Sequence, residues 1–117
     1  MTMHSTRTNT LIDTVNDEYR RHSLAILARN RMLTVNELAT RLVRALTDER
    51  TPENVRQTQI ELKHVHLPKL REVGLISYSH ETWQIRLLED AIDEISPLLD
   101  IFQSVESDET TKPVAGT

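Results

Sequence analysis

One stretch of this chain restricts its possible folds more than any other. Residues 64–76 read HVHLPKLREVGLI and run directly into SYSHETWQIRL. Before Gly74, the apolar residues Leu62, Leu67, Leu70 and Val73 follow one another at spacings of five, three and three, the stripe of a helix. Gly74 itself is the residue type that closes helices, because it enters the left-handed conformation without a Cβ penalty. Beyond it the period falls to two. Ile76 and Tyr78 alternate with Ser77 and Ser79, then Trp83, Ile85 and Leu87 alternate with Gln84 and Arg86. A helix stopped by glycine and continued as a short hairpin leaves a small domain few architectures.

The remaining elements follow from local signals. Residues 1–8 are polar and are expected to be disordered. Leu11, Ile12, Val15, Tyr19, Leu24 and Leu27 predict one bent helix or two over about 9–29, with Asn16 or Asp17 as an internal cap. Met32 and Leu33 form a short extended piece. Thr34 and Glu37 match a capping box, which opens a helix burying Leu38, Leu42, Val43 and Leu46. Pro52 preorganises the start of a third helix over about 53–73. Pro68 lies inside that helix and predicts a kink, or a break near Leu67. The hairpin is expected at 75–79 and 83–87, tipped by His80, Glu81 and Thr82. A last helix over 88–104 carries Leu88, Ile92, Ile95, Leu99 and Phe102 at heptad-like spacing, which predicts a homodimer seam or, as the alternative, a helix folded back onto its own domain. Residues 105–117 read as a solvated acidic tail.

The order helix, extended piece, two helices, hairpin describes a mainly α winged helix-turn-helix, here over 9–87 with the extra helix at 88–104. Such modules usually exist to set one helix against DNA. Net charge is −4, which alone argues against nucleic acid, but its distribution is uneven. Residues 1–87 hold 13 Lys and Arg against 10 Asp and Glu, whereas 88–117 hold one Lys against eight acids. The body is weakly basic and permits DNA contact. There is no cysteine, which excludes disulfides and thiolate chemistry. No apolar run approaches the roughly 20 residues of a membrane span. The start of the chain lacks a secretory pattern, so a cytoplasmic location is expected.

The polar side of the third helix offers Arg56, Gln57, Gln59, Lys63, His64 and Lys69, with Arg86 from the second hairpin strand. Arg and Lys suit phosphates and guanine edges, and Gln suits adenine, so double-stranded DNA is the expected partner. His80 at the tip is a weaker phosphate contact, and Trp83 reads as packing. Arg20 and Arg21 suit structural bridging, to Asp17 for example, as well as a phosphate.

The segments His66-Leu67 to Ile76 resemble the "HL..L...GLV" pattern of ArsR-like prokaryotic winged-helix regulators. More closely, Arg20-Arg21, Glu37-Leu38-Ala39 and His64 through Tyr78 resemble a family of small uncharacterised winged-helix domains found largely in halophilic archaea. The resemblance covers roughly 10–90 and implies a DNA-binding transcriptional regulator. The alternative is a winged helix used only for protein contact, which the weak basicity, short wing and acidic last helix favour.

Metal and catalytic readings find little support. His64 and His66 are two apart, which separates their rings by about 200° on a helix. Glu61 and His64 share a face but supply only two ligands. With two glycines there is no phosphate-cradling loop, and Glu89-Asp90 and Asp93-Glu94 read as a solvated face. No cofactor, metal or enzymatic activity is expected.

Overall fold

A computed structural model describes the backbone over residues 2–115 and the side chains over 6–102. The chain forms helix α1 (Thr2–Val15), α2 (Glu18–Asn30), strand β1 (Met32–Thr34), α3 (Val35–Leu46), α4 (Pro52–Glu61), a π-helical turn (Leu62–His66), α5 (Leu67–Val73), β2 (Ile76–Tyr78), β3 (Gln84–Leu87) and α6 (Glu89–Ala115). The protein is mainly helical, with one small antiparallel sheet in the order β1-β3-β2. Met32 faces Arg86 across one ladder, and Ile76 faces Leu87 across the other. The extended piece at Met32–Thr34 is thus a third strand rather than a loose connection.

The helix boundaries have local causes. The Asp17 side chain accepts from Arg20 N at 3.0 Å and starts α2, so the first helical region is two helices. Thr34 and Glu37 form both halves of the capping box on α3. Thr51 caps α4, whose first residue is Pro52. Arg20 Nε donates to the carbonyl of Thr14 at 2.8 Å and Arg21 Nη1 to that of Val15 at 3.1 Å, satisfying the open end of α1. The arginine pair therefore has a structural role.

The long third helix does not break at Pro68. The N–H of Leu67 bonds the carbonyl of Leu62, five residues back. This widened turn just before Pro68 absorbs the missing proline donor. It also explains the odd spacing of five between Leu62 and Leu67. On a regular α-helix those residues would lie about 140° apart, yet both are fully buried. At the far end Gly74 has φ 89 and ψ 25. Gly74 N bonds the carbonyl of Arg71 and Leu75 N that of Leu70, both at 3.0 Å, which closes the helix as a left-handed cap.

Leu24, Leu27, Leu38, Leu42, Leu62, Leu67, Leu70, Leu75, Ile85 and Ile95 are completely buried and form one core. Two expectations change here. The first helix begins at Thr2 instead of near residue 9. Arg7 anchors it: Nε and Nη2 donate to the Glu94 carboxylate at 3.0 and 2.7 Å, and Nη1 donates to the carbonyl of Val73 at 2.9 Å. The last helix continues to Ala115, past the expected end at 104, while residues 116–117 of the expected tail lie outside the described residues.

A third expectation concerns the seam on α6, for which a homodimer contact and a return onto the chain's own domain are the two readings. Leu88, Ile92, Ile95, Leu99 and Phe102 turn onto the chain's own core. Ile95 is fully buried within the single chain, and the other four are half-buried against the same core. The cause is that α1 and α2 offer α6 an apolar bed, with Ala25 and Ala28 of α2 beside Leu99. Four of the five residues of the stripe keep part of their surface exposed.

Candidate functional site

The surface of interest is the outward side of α4 and the π-helical turn, together with the β2–β3 hairpin. Val55, Thr58, Leu62, His66, Leu67 and Leu70 take the inner side of the helix. That leaves Arg56, Gln57, Ile60, His64 and Val65 exposed on the outer one. Of the seven residues expected to meet DNA, Arg56, Gln57, His64 and Arg86 are exposed; Gln59, Lys63 and Lys69 are half-buried. Gln59 donates its amide to the Asn36 side chain at 2.8 Å, which ties α4 to the first turn of α3.

Lys63 leans instead toward the hairpin, with Nζ 4.8 Å from the centre of the Trp83 ring. Trp83 stacks on Tyr78 at 5.3 Å and 12°, and His80 meets both rings edge-on. Arg71 lies 4.7 Å from the Tyr78 ring centre and 3.3 Å from His80 Nε2. Two cations of the helix thus sit on three rings of the hairpin, fixing the hairpin against the helix. Each such cation–π contact is worth about 0.5–1 kcal/mol at an exposed site.

Trp83 carries a second burden. The hairpin tip has no glycine, and Trp83 takes the left-handed conformation itself, at φ 56. Its N–H bonds the carbonyl of Ser79 at 2.8 Å, and its carbonyl accepts from Val35 N at 2.9 Å. Stacking and two backbone bonds hold a conformation that costs a non-glycine residue roughly 1–2 kcal/mol. The sequence reading of Trp83 as a packing residue therefore agrees with its place in this cluster.

Arg86 projects from the outer face of the sheet, opposite the buried Ile85 and Leu87, with Met32 and Ser77 as its cross-strand neighbours. The two histidines separate as the helix wheel requires, His64 outward and His66 buried. His66 stacks on Tyr19 at 5.6 Å, and its Nδ1 stands 3.8 Å from Asp17, with no hydrogen-bond partner. Burial holds its pKa below the ordinary histidine range, against the opposing pull of Asp17. Among the described residues no group of three His, Asp or Glu side chains is placed to hold a metal ion.

Sequence reasoning missed two members of this surface. Ile60 and Val65 are 45% and 54% exposed, in the middle of the outward stripe. Their five-residue spacing hides the fact that the π-helical turn sets them on the same side. An apolar residue turned to water in the centre of a polar stripe is the signal that could have drawn attention to them.

No helix among the described residues is long and apolar enough to cross a membrane. No curated protein and no solved structure matches this chain. Residues 12–86 match the model of a domain of unknown function, DUF7344, and the chain belongs to that family.

Proposed function

We propose that the protein is a winged helix-turn-helix DNA-binding protein that acts as a transcriptional regulator. The reading assigns α2, α3 and α4–α5 to the three helices of that fold. β1 becomes its short first strand, and the β2–β3 hairpin its wing. The observation that carries it is the outward stripe of α4: Arg56, Gln57 and His64 surround the exposed Ile60 and Val65. A major groove can accept this mixture, since base edges take hydrogen bonds and thymine methyls take apolar contact. Arg86 on the sheet supplies a phosphate contact, and Lys63 and Arg71 fix the wing's position. In this reading the protein works in the cytoplasm.

The second reading is a winged helix that binds a protein through the same stripe. Ile60 and Val65 favour it, because exposed apolar side chains also anchor protein partners. One experiment separates the two. Fragmented genomic DNA is passed over the immobilised full chain at near-physiological salt, for the wild type and for Arg56→Ala/Gln57→Ala. The DNA reading expects a reproducible set of enriched fragments that the double variant loses. Uniform retention, or enrichment untouched by the substitutions, contradicts it.

A further inference from the structure

A second cationic surface lies on the other side of α3. Arg41 and Val43 are two positions apart, which points their side chains about 200° apart around the helix. Val43 lines the groove toward Asn54 and Thr58 of α4. Arg41 consequently faces away from α4, toward the last turn of α2. There it helps form an open cleft of about 390 Å³ lined by Ile26, Arg29, Asn30, Arg41, Arg44 and Ala45.

The lining is unusual in its charge. Three guanidiniums and no acid border the cleft. Arg29, Arg41 and Arg44 are all exposed, and among the described residues none of them makes an ion pair or a hydrogen bond. Asp100 shares the adjoining groove between α2 and α6 with Arg29, but forms no ion pair with it. Arg29 and Arg44 occupy the last turns of α2 and α3, where a cation is favoured in any case. Arg41 has no such role, being one turn earlier in α3. The floor, in contrast to the rim, is apolar, built from Ile26 and Ala45, and Asn30 turns its amide N–H back to the carbonyl of Ile26.

Unpaired guanidiniums repel one another and are stabilised by a shared anion. Their planar forks match phosphate oxygens in bidentate geometry. The apolar floor adds a place for the body of the ligand, and the cleft has the volume of a small-molecule site. We propose that the α2–α3 cleft binds a small phosphorylated molecule with an apolar or aromatic body, a nucleotide being the simplest case. Arg41 and Arg44 grip the phosphates, Arg29 closes the cleft from α2, and Ile26 and Ala45 carry the body. The site does not depend on DNA contact at α4. If the protein is a regulator, the site is where a phosphorylated effector would act.

Titration calorimetry of the full chain tests this, with ATP, inorganic pyrophosphate and adenosine as probes and without divalent cations. The expected result is saturable ATP binding to the wild type, weaker pyrophosphate binding and no adenosine binding. Arg41→Ala/Arg44→Ala should weaken ATP at least tenfold, with unchanged circular dichroism and thermal midpoint. Arg56→Ala on α4 should bind ATP as the wild type does. Absence of saturable ATP binding overturns the proposal, as does equal loss in the two variants, which would mean general charge attraction. Pyrophosphate binding as tightly as ATP would remove the role of the apolar floor. Loss of DNA retention by the double variant, without ATP binding by the wild type, would overturn the small-molecule site in favour of a nucleic-acid surface.

Discussion

Replacing Gly74 by alanine perturbs the joint between helix and hairpin at a single atom. A Cβ built there meets nothing within 4 Å, so no packing term enters. What remains is backbone energy. At φ +89 the residue is in the left-handed region, where an L side chain costs roughly 1–2 kcal/mol. Losing glycine's freedom in the unfolded chain returns about 0.4–1 kcal/mol. The net destabilisation is therefore about 1 kcal/mol, and a chain of this size should melt roughly 4 °C lower. Gly74→Asn should lie between the two, since asparagine tolerates this region better. Urea denaturation and thermal melting of the three proteins measure the order directly. A Gly74→Ala protein as stable as the wild type, or more stable, would refute the left-handed cap and the closure of α5 built on it.

Three further outcomes are expected. Ile95→Ala should cost about 2–5 kcal/mol in chemical denaturation. The loss should not depend on protein concentration, because the side chain is buried by its own chain; a loss below 1 kcal/mol or one that scales with concentration would return α6 to the role of a dimer seam. His66 has a lowered folded pKa, so below about pH 6.5 the unfolded state takes up the proton first and stability falls with pH. Its contribution is bounded by about 1.4 kcal/mol per pH unit, and urea midpoints of His66→Phe between pH 7.5 and 5.5 should fall less steeply than those of the wild type. Glu94 is held below its usual range chiefly by the hydrogen bonds from Arg7, so the pair stabilises at neutral pH and fades as Glu94 protonates. Because both side chains are more than a third exposed, Glu94→Gln should cost under about 1 kcal/mol, less in 1 M salt than at low salt, by the same denaturation assay.

How far the sequence revealed this depended on whether a signal was local. The capping box at Thr34, Pro52 at the start of α4, and Gly74 at the end of α5 were all legible, since each acts on backbone groups within a few residues. The stripe on α6 was equally legible, but its partner was not. Heptad-like spacing records that one side is apolar and says nothing about which surface covers it; here α1 and α2 do. The start of α1 was missed for a related reason, since the anchors of Arg7 lie 66 and 87 residues away. On the candidate surface, residue type identified Arg56, Gln57 and His64. The π-helical turn that brings Ile60 and Val65 to the same side left only a spacing of five as its trace. Lys63 looked free because its ring partner, Trp83, arrives from another element.

The central claim is that the outward side of α4 reads DNA. Amide NMR mapping of the 13.5 kDa chain on titration with its most enriched genomic fragment tests it most directly. The account predicts the largest shifts along α4 and the π-helical turn from Arg56 to Val65, with a second group at Arg86 and the hairpin, and small changes on α6. Largest shifts at Arg29, Arg41 and Arg44, or no selective shifts with any fragment, would contradict it.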